Sequence, residues 1–172
     1  LMPRARSPGP LTSAHISMAR APGAPAIINA DDPRGAVLVD GATRPVTYAI
    51  NRSADVTPGP LSYSLQGLSF DVRTSRGTVR VESPLVGRPN VYNILAAVGT
   101  AVALGLPVSA IERGLASLEG VPGRFEVVSE PRDGVSVIVD YAHTDDALRN
   151  LLETARTLRS EEHTSELQSH VR

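Results

Sequence analysis

Two asparagines three residues apart, Asn90 and Asn93, open the run "NVYNILAAVGTAVALG". On a helix that spacing turns both side chains to one side, and each amide carries donors beside an acceptor. Such a pair suits the edge of a purine ring. Asn90 also has a plainer use as the N-cap of its helix, with Asn93 as a surface polar residue. Arg124 follows a Pro-Gly turn in "GVPGRFE". There its planar fork can meet a phosphate, or simply face solvent at the start of a strand. A third group, Asp140, Tyr141 and His143, closes the run "VSVIVDYAHTDD". A carboxylate ending a buried strand can accept from ribose hydroxyls or cap the following helix, and His143 can stack or hydrogen-bond beside it. Asp31–Asp32 offers oxygens to a hard cation, but "NADDP" commonly opens a turn and no third carboxylate follows at a suitable spacing. No metal site is assigned, and His15 is assigned no role.

These residues need a scaffold, and the composition bounds it. The chain has 172 residues, 41% of them hydrophobic, enough for a packed core. No apolar run is long enough to span a membrane, so no membrane partner is expected. A net charge of -1 supplies no basic field for nucleic acid. Cysteine is absent, which excludes disulfides, thiolate metal sites and cysteine nucleophiles and fits a cytoplasmic protein. Every one of the 17 basic residues is arginine. Chemistry that needs a lysine amine is therefore excluded, including that of a G-x-x-x-x-G-K-[ST] phosphate loop.

Patterning places the elements. Residues 1–25 are rich in Pro, Arg, Ser and Ala without periodicity and read as a disordered or mistranslated leader. They lack the apolar centre of a secretory signal. Strands are expected at 26–29, 36–40 and 46–50. "GLSFDVRTSRGTVRVES" alternates, with Leu68, Phe70 and Val72 across from Val79 and Val81, and predicts a hairpin with one buried face turning at "TSRG". Val91, Ile94, Leu95, Val98, Ala101 and Val102 recur at helical spacing. That helix begins at Asn90 and ends by Gly105 and Pro107, and a second spans about 109–118. "EGVPGRFE" breaks the pattern and marks a domain boundary. Beyond it follow strand "RFEVVSE", a turn at "PRDG", and strand "VSVIVDY". A helix capped by Thr144 carries Ala147, Leu148, Leu151, Leu152, Ala155 and Leu158 on one face. The class is α/β.

Taken together, "AIINADDP", "GRPNVYNILAAVGTAVALG", "AIERGLASLEGVPGRFEVV" and "VIVDYAHTDDALRNLLETAR" resemble the Mur ligase family of peptidoglycan synthesis. Among its branches they look most like the tripeptide synthetases, which add the third residue of the stem peptide. "DYAHTDDAL" is the most specific piece, with Asp145 where that branch usually has Pro; Pro89 stands where an aromatic is common. The resemblance covers about residues 26–158.

It implies an ATP-dependent amide ligation in which ATP phosphorylates a carboxylate and an amine attacks the acyl phosphate. The substrates would be UDP-MurNAc-L-Ala-D-Glu and an amino acid, and the enzyme a cytoplasmic monomer. By the same resemblance, residues 26–120 are the end of the central ATP-binding domain, with strands, β-hairpin and two helices. Residues 121–158 are the first strands and helix of a truncated Rossmann-like C-terminal domain. Matching positions carry the ATP roles: Asn90 and Asn93 near the adenine, Arg124 at the phosphates, Asp140 near the ribose, and His143 in the same nucleotide-facing turn. The phosphate loop, the carbamylated lysine and the magnesium ligands of the family have no counterpart here. No catalytic residue is therefore assigned, and the chain alone is expected to be inactive as a ligase. Cyanophycin synthetase and folylpolyglutamate synthase are alternatives within the superfamily; a stand-alone nucleotide-binding module is the alternative outside enzymes. The tail 159–172, "RSEEHTSELQSHVR", breaks the apolar stripe and reads as the translation of a sequencing adapter. It is expected to be non-native, and its His163 and His170 are assigned no site.

Overall fold

The computed structural model describes residues 23–129 and 134–169, the stretch 159–169 as helix backbone only. The leader before residue 23, residues 131–133 of the expected "PRDG" turn, and the tail's side chains lie outside the described residues.

Ala26–Asn29 forms strand β1 and Pro45–Tyr48 forms β2, parallel to it, with Ala26 opposite Pro45 and Asn29 opposite Tyr48. A parallel pair needs a crossover, and helix α1, Gly35–Asp40, lies in that connection. This corrects the strand expected at 36–40. "GAVLVD" is a short, partly β-branched apolar run that periodicity alone cannot assign, and the residues before it decide. Asp32 Oδ1 accepts the Arg34 N–H at 2.8 Å, and the Asp32 carbonyl accepts the Gly35 N–H at 2.8 Å. The chain is thereby wound into a turn, close enough that a Cβ on Gly35 would run into the Asn29 carbonyl. Val37 is 56% exposed, as no buried strand would leave it.

Strands β3 (Thr57–Pro58), β4 (Ser62–Ser64) and β6 (Gly77–Ser83) all pair antiparallel with β5 (Gly67–Thr74). Phe70 faces Val81 and Val72 faces Val79 across the expected hairpin. Alternation puts Leu68, Phe70, Val72, Val79 and Val81 on one face, and all five are buried. Helix α2, Arg88–Ala103, lays Val91, Ile94, Leu95 and Val98 onto that core, and helix α3, Val108–Ala116, adds Ile111. Removing a side chain such as Leu95 from water contributes about 1.5–3 kcal/mol. At Gly99, α2 comes close to β1 and β2: a Cβ there would stand 3.4 Å from Ile27 and 3.8 Å from Val46.

Beyond residue 120, β7 (Glu126–Val127) and β8 (Ile138–Val139) make a short antiparallel pair. The apolar runs predicted longer strands. Val135, Val137 and Val139 are 66%, 49% and 46% exposed: among the described residues no layer packs on their alternating face, so burial does not extend the pairing. Helix α4, Asp145–Ser169, starts as expected, with Thr144 Oγ1 accepting the Ala147 N–H at 3.3 Å and Asp145 and Asp146 in its first turn. It continues past Leu158, where the apolar stripe stops. A second, smaller cluster joins this part to the first. Val86, Phe125 and Leu158 are buried together, with Tyr63, Leu65, Ile138, Leu151 and Ala155 packed around them. Among the described residues no helix is long and apolar enough to cross a membrane.

Candidate functional site

Beside the second cluster, the start of α2, the 121–125 turn, Asp140 just after β8, and α4 line one cavity of about 490 Å³. Asn90, Asn93, Arg124 and Asp140 all line it, together with Pro89 and Asn150. His143 is not among the lining residues. Its exposed ring meets the Tyr141 ring edge-on at 4.9 Å, and its Nδ1 lies 2.9 Å from the Tyr141 carbonyl. The expected site is thus drawn together in four of its five members, and the fifth stands in the turn beyond Asp140.

Asn90 departs from its expected role as a cap. Helix α2 begins earlier, with Gly87 at the N-cap (φ +89°) and Pro89 in the first turn. Proline's fixed φ and missing N–H suit that place, so Asn90 falls inside the helix. Its Nδ2 donates to the Val86 carbonyl at 2.8 Å, and its Oδ1 accepts from Asn93 Nδ2 at 3.1 Å. Asn93 is exposed, and this bond leaves its carbonyl oxygen and second N–H to the cavity. A donor beside an acceptor is the pattern that a purine edge requires.

Arg124 stands at the end of a turn closed by its own N–H to the Val121 carbonyl, 3.1 Å. Among the described residues no acceptor engages its guanidinium, which leaves the planar fork open to an anion. Phe125, next to it, is buried and has φ +48°, a conformation costly for a bulky residue. Asp140 holds it there: Oδ2 accepts the Phe125 N–H at 2.7 Å and Oδ1 accepts the Ala142 N–H at 2.8 Å. Instead of capping the following helix, Asp140 ties a turn to a strand end, and each oxygen keeps a lone pair for a hydroxyl donor.

Asp31 has a structural use. Its Oδ2 accepts from the N–H of Ile50 at 2.7 Å, the N–H of Asn51 at 3.1 Å and the Tyr92 hydroxyl at 2.9 Å. Burial pushes the Asp31 carboxyl up, but those three bonds and nearby Arg52 outweigh it and hold the group below its ordinary value. Among the described residues no group of three or more His, Asp or Glu side chains is placed to hold a metal ion. Two residues escaped the sequence reading. Asn150 borders the apolar stripe of α4, three positions after Ala147, and that offset is the signal that could have found it. Tyr92 had no such signal, because its partner is distant in sequence.

Comparison with known proteins places the chain among relatives, over bounds that differ from the expected 26–120 and 121–158. Residues 14–101 match the Mur ligase middle domain, and residues 123–165 match the Mur ligase, glutamate ligase domain. The UDP-N-acetylmuramoyl-L-alanyl-D-glutamate--2,6-diaminopimelate ligase of Solibacter usitatus is 46% identical over 134 residues, covering 77% of this chain and 27% of the relative. That of Gloeobacter violaceus is 46% identical over 131 residues, 76% of this chain and 27% of the relative. The chain therefore spans about a quarter of the length of the curated relatives it matches. A solved structure of such a ligase superposes with a TM-score of 0.64 at 35% identity, over 77% of this chain and 28% of that one. MurF from Acinetobacter baumannii gives 0.70 at 26% identity, over 80% and 30%. A folylpolyglutamate synthase from L. casei, at 22% identity, shares the fold alone. On these matches, which cover both sides of the cavity, the chain belongs to the Mur ligase family.

Proposed function

We propose that this chain is the part of an ATP-dependent amide ligase that receives the adenosine end of ATP. The observation that carries the reading is the convergence of Asn90, Asn93, Arg124 and Asp140 on one cavity between the two family-matched segments. Asn93 reads the purine edge with Asn90 holding its amide in place, Asp140 accepts from a ribose hydroxyl, and Arg124 meets the phosphates. His143 lies at the outer edge of the same turn.

In the whole enzyme, the D-glutamate carboxylate of UDP-MurNAc-L-Ala-D-Glu takes the γ-phosphoryl group of ATP, releasing ADP. The amine of the incoming amino acid then attacks the acyl phosphate, and orthophosphate leaves as the amide forms. We assign 2,6-diaminopimelate as that amino acid, because the matching relatives carry it in their names. A reaction that consumes ATP and acts on a nucleotide-linked sugar belongs in the cytoplasm, and the enzyme acts as a monomer. The residues present here hold and orient ATP. Among the described residues none is placed to attack the carboxylate, and magnesium falls to other parts of the enzyme. This chain alone therefore has no ligase turnover.

Equilibrium titration with a fluorescent adenine nucleotide tests the reading. Weak binding to the chain is expected, displaced by ATP and reduced at least tenfold by Asn93→Ala or Arg124→Ala, about 1.4 kcal/mol or more. Binding that ignores both substitutions, or ADP release by the chain with substrate and amino acid, would contradict it.

A further inference from the structure

The hydrogen bonds of Asp31 do more than close a turn. One oxygen, Oδ2, gathers the end of β1, the segment after β2 and helix α2. Asn51, whose N–H is one of its donors, uses its own Oδ1 to accept Arg88 Nη2 at 2.7 Å. Helix α2 is therefore fastened twice within its first turns, at Arg88 and at Tyr92. With 3.6 residues per turn, positions 88 and 92 lie on one face, and positions 90 and 93 lie about 100–160° around the helix from them. The fastenings stand behind the helix and the amide pair in front.

Apolar packing through Val91, Ile94, Leu95 and Val98 holds α2 to the core but is non-directional. Hydrogen bonds of fixed length on the back face set its rotation. A small turn of the helix about its axis would carry the Asn93 amide along the cavity wall and pull Asn90 away from the Val86 carbonyl. Asp31 Oδ1 is enclosed with no donor of the described chain facing it. A carboxylate is thus kept where one of its oxygens gains nothing.

We propose that Asp31, through the Tyr92 hydroxyl, is a positioning residue that sets where Asn90 and Asn93 present their amides; this rests on the nucleotide reading of that site. Asp31 touches no substrate in this account. Its effect runs through 61 residues of sequence separation to a pair of side chains on the opposite face of the helix.

The test is nuclear magnetic resonance on the ¹⁵N-labelled full chain, following the side-chain amides of Asn90 and Asn93 together with ATP binding. In Tyr92→Phe, both side-chain amide signals are expected to shift and to exchange with solvent at least tenfold faster. Backbone amides of Ile94 and Val98 should stay protected, and affinity for ATP should fall at least fivefold while that for inorganic triphosphate holds. Unmoved Asn90 and Asn93 signals in Tyr92→Phe overturn the proposal, whether or not ATP binds. So does an equal loss of protection along the whole helix, which is what a merely structural role gives. Moved signals in a chain whose wild type ignores ATP overturn the nucleotide reading and leave the positioning role standing. Should Tyr92→Phe fail to fold, Asp31→Glu keeps charge and hydroxyl but displaces the acceptor by one methylene; unchanged Asn signals there likewise overturn the proposal.

Discussion

The Asp140 carboxylate accepts the Phe125 N–H at 2.7 Å, and Phe125 is the described non-glycine residue with positive φ, at +48°. The pair fixes the backbone immediately after Arg124. Asp140→Ala removes acceptors for two backbone N–H groups and should cost about 1–3 kcal/mol. Asp140→Asn should cost less, since it keeps one acceptor oxygen. Urea denaturation of the two variants checks the order; equal midpoints to wild type would show that Phe125 holds its conformation unaided.

Gly87 governs how closely α4 approaches α2. A Cβ there would stand 2.7 Å from Thr154 Cγ2, and φ is +89°. Gly87→Ala should destabilise by about 1–3 kcal/mol from backbone strain and contact together. Thr154→Ser, which removes that methyl, should recover only the contact part. A double-mutant cycle read by thermal melting separates the two; full recovery would mean the backbone bears no strain.

Asp31 makes stability depend on pH with a definite sign. Its folded pKa is depressed below 3.8, so its contribution is fully present well above that value and is lost as pH falls through the folded value. The gap in Tm between wild type and Asp31→Asn should stay constant from pH 7 to about 5 and close below pH 3.8. Tyr92 behaves in the opposite sense. Burial, with the Asp31 carboxylate beside it, raises the phenol above 10.0, so the gap between wild type and Tyr92→Phe should close only as pH rises beyond 10. A pH-independent gap in either series would contradict the assignment.

Val135, Val137 and Val139 stand exposed on β8 and its approach. An uncovered apolar strand edge templates association. Val135→Ser with Val137→Thr should leave the melting temperature nearly unchanged and lower the light scattering of concentrated solutions. A large loss of stability would show that the valines are packed in solution.

The core was legible because it is periodic. Alternation at Leu68, Phe70 and Val72, and helical spacing at Val91, Ile94, Leu95 and Val98, each fix one buried face. Helix α1 was not, since six residues carry no period and the winding comes from Asp32. The start of α2 was misplaced because Asn90 has the chemistry of a cap, but Gly87 and Pro89 have the backbone for one. Residue type alone left each candidate site residue an ordinary alternative; the family resemblance of the segments around them singled them out, and four of the five line one cavity. The Asp31–Tyr92 bond was invisible for the converse reason: neither residue carries a local pattern, and only the packing of α2 on β1 and β2 brings them together.

The most direct test of the account is a crystal structure of the chain with a non-hydrolysable ATP analogue. Adenine is expected against the Asn93 amide, ribose beside Asp140 and phosphates toward Arg124. A nucleotide seated elsewhere, such as in the cavity on the far side of Pro89 lined by Tyr63, Tyr92 and Leu158, would contradict it.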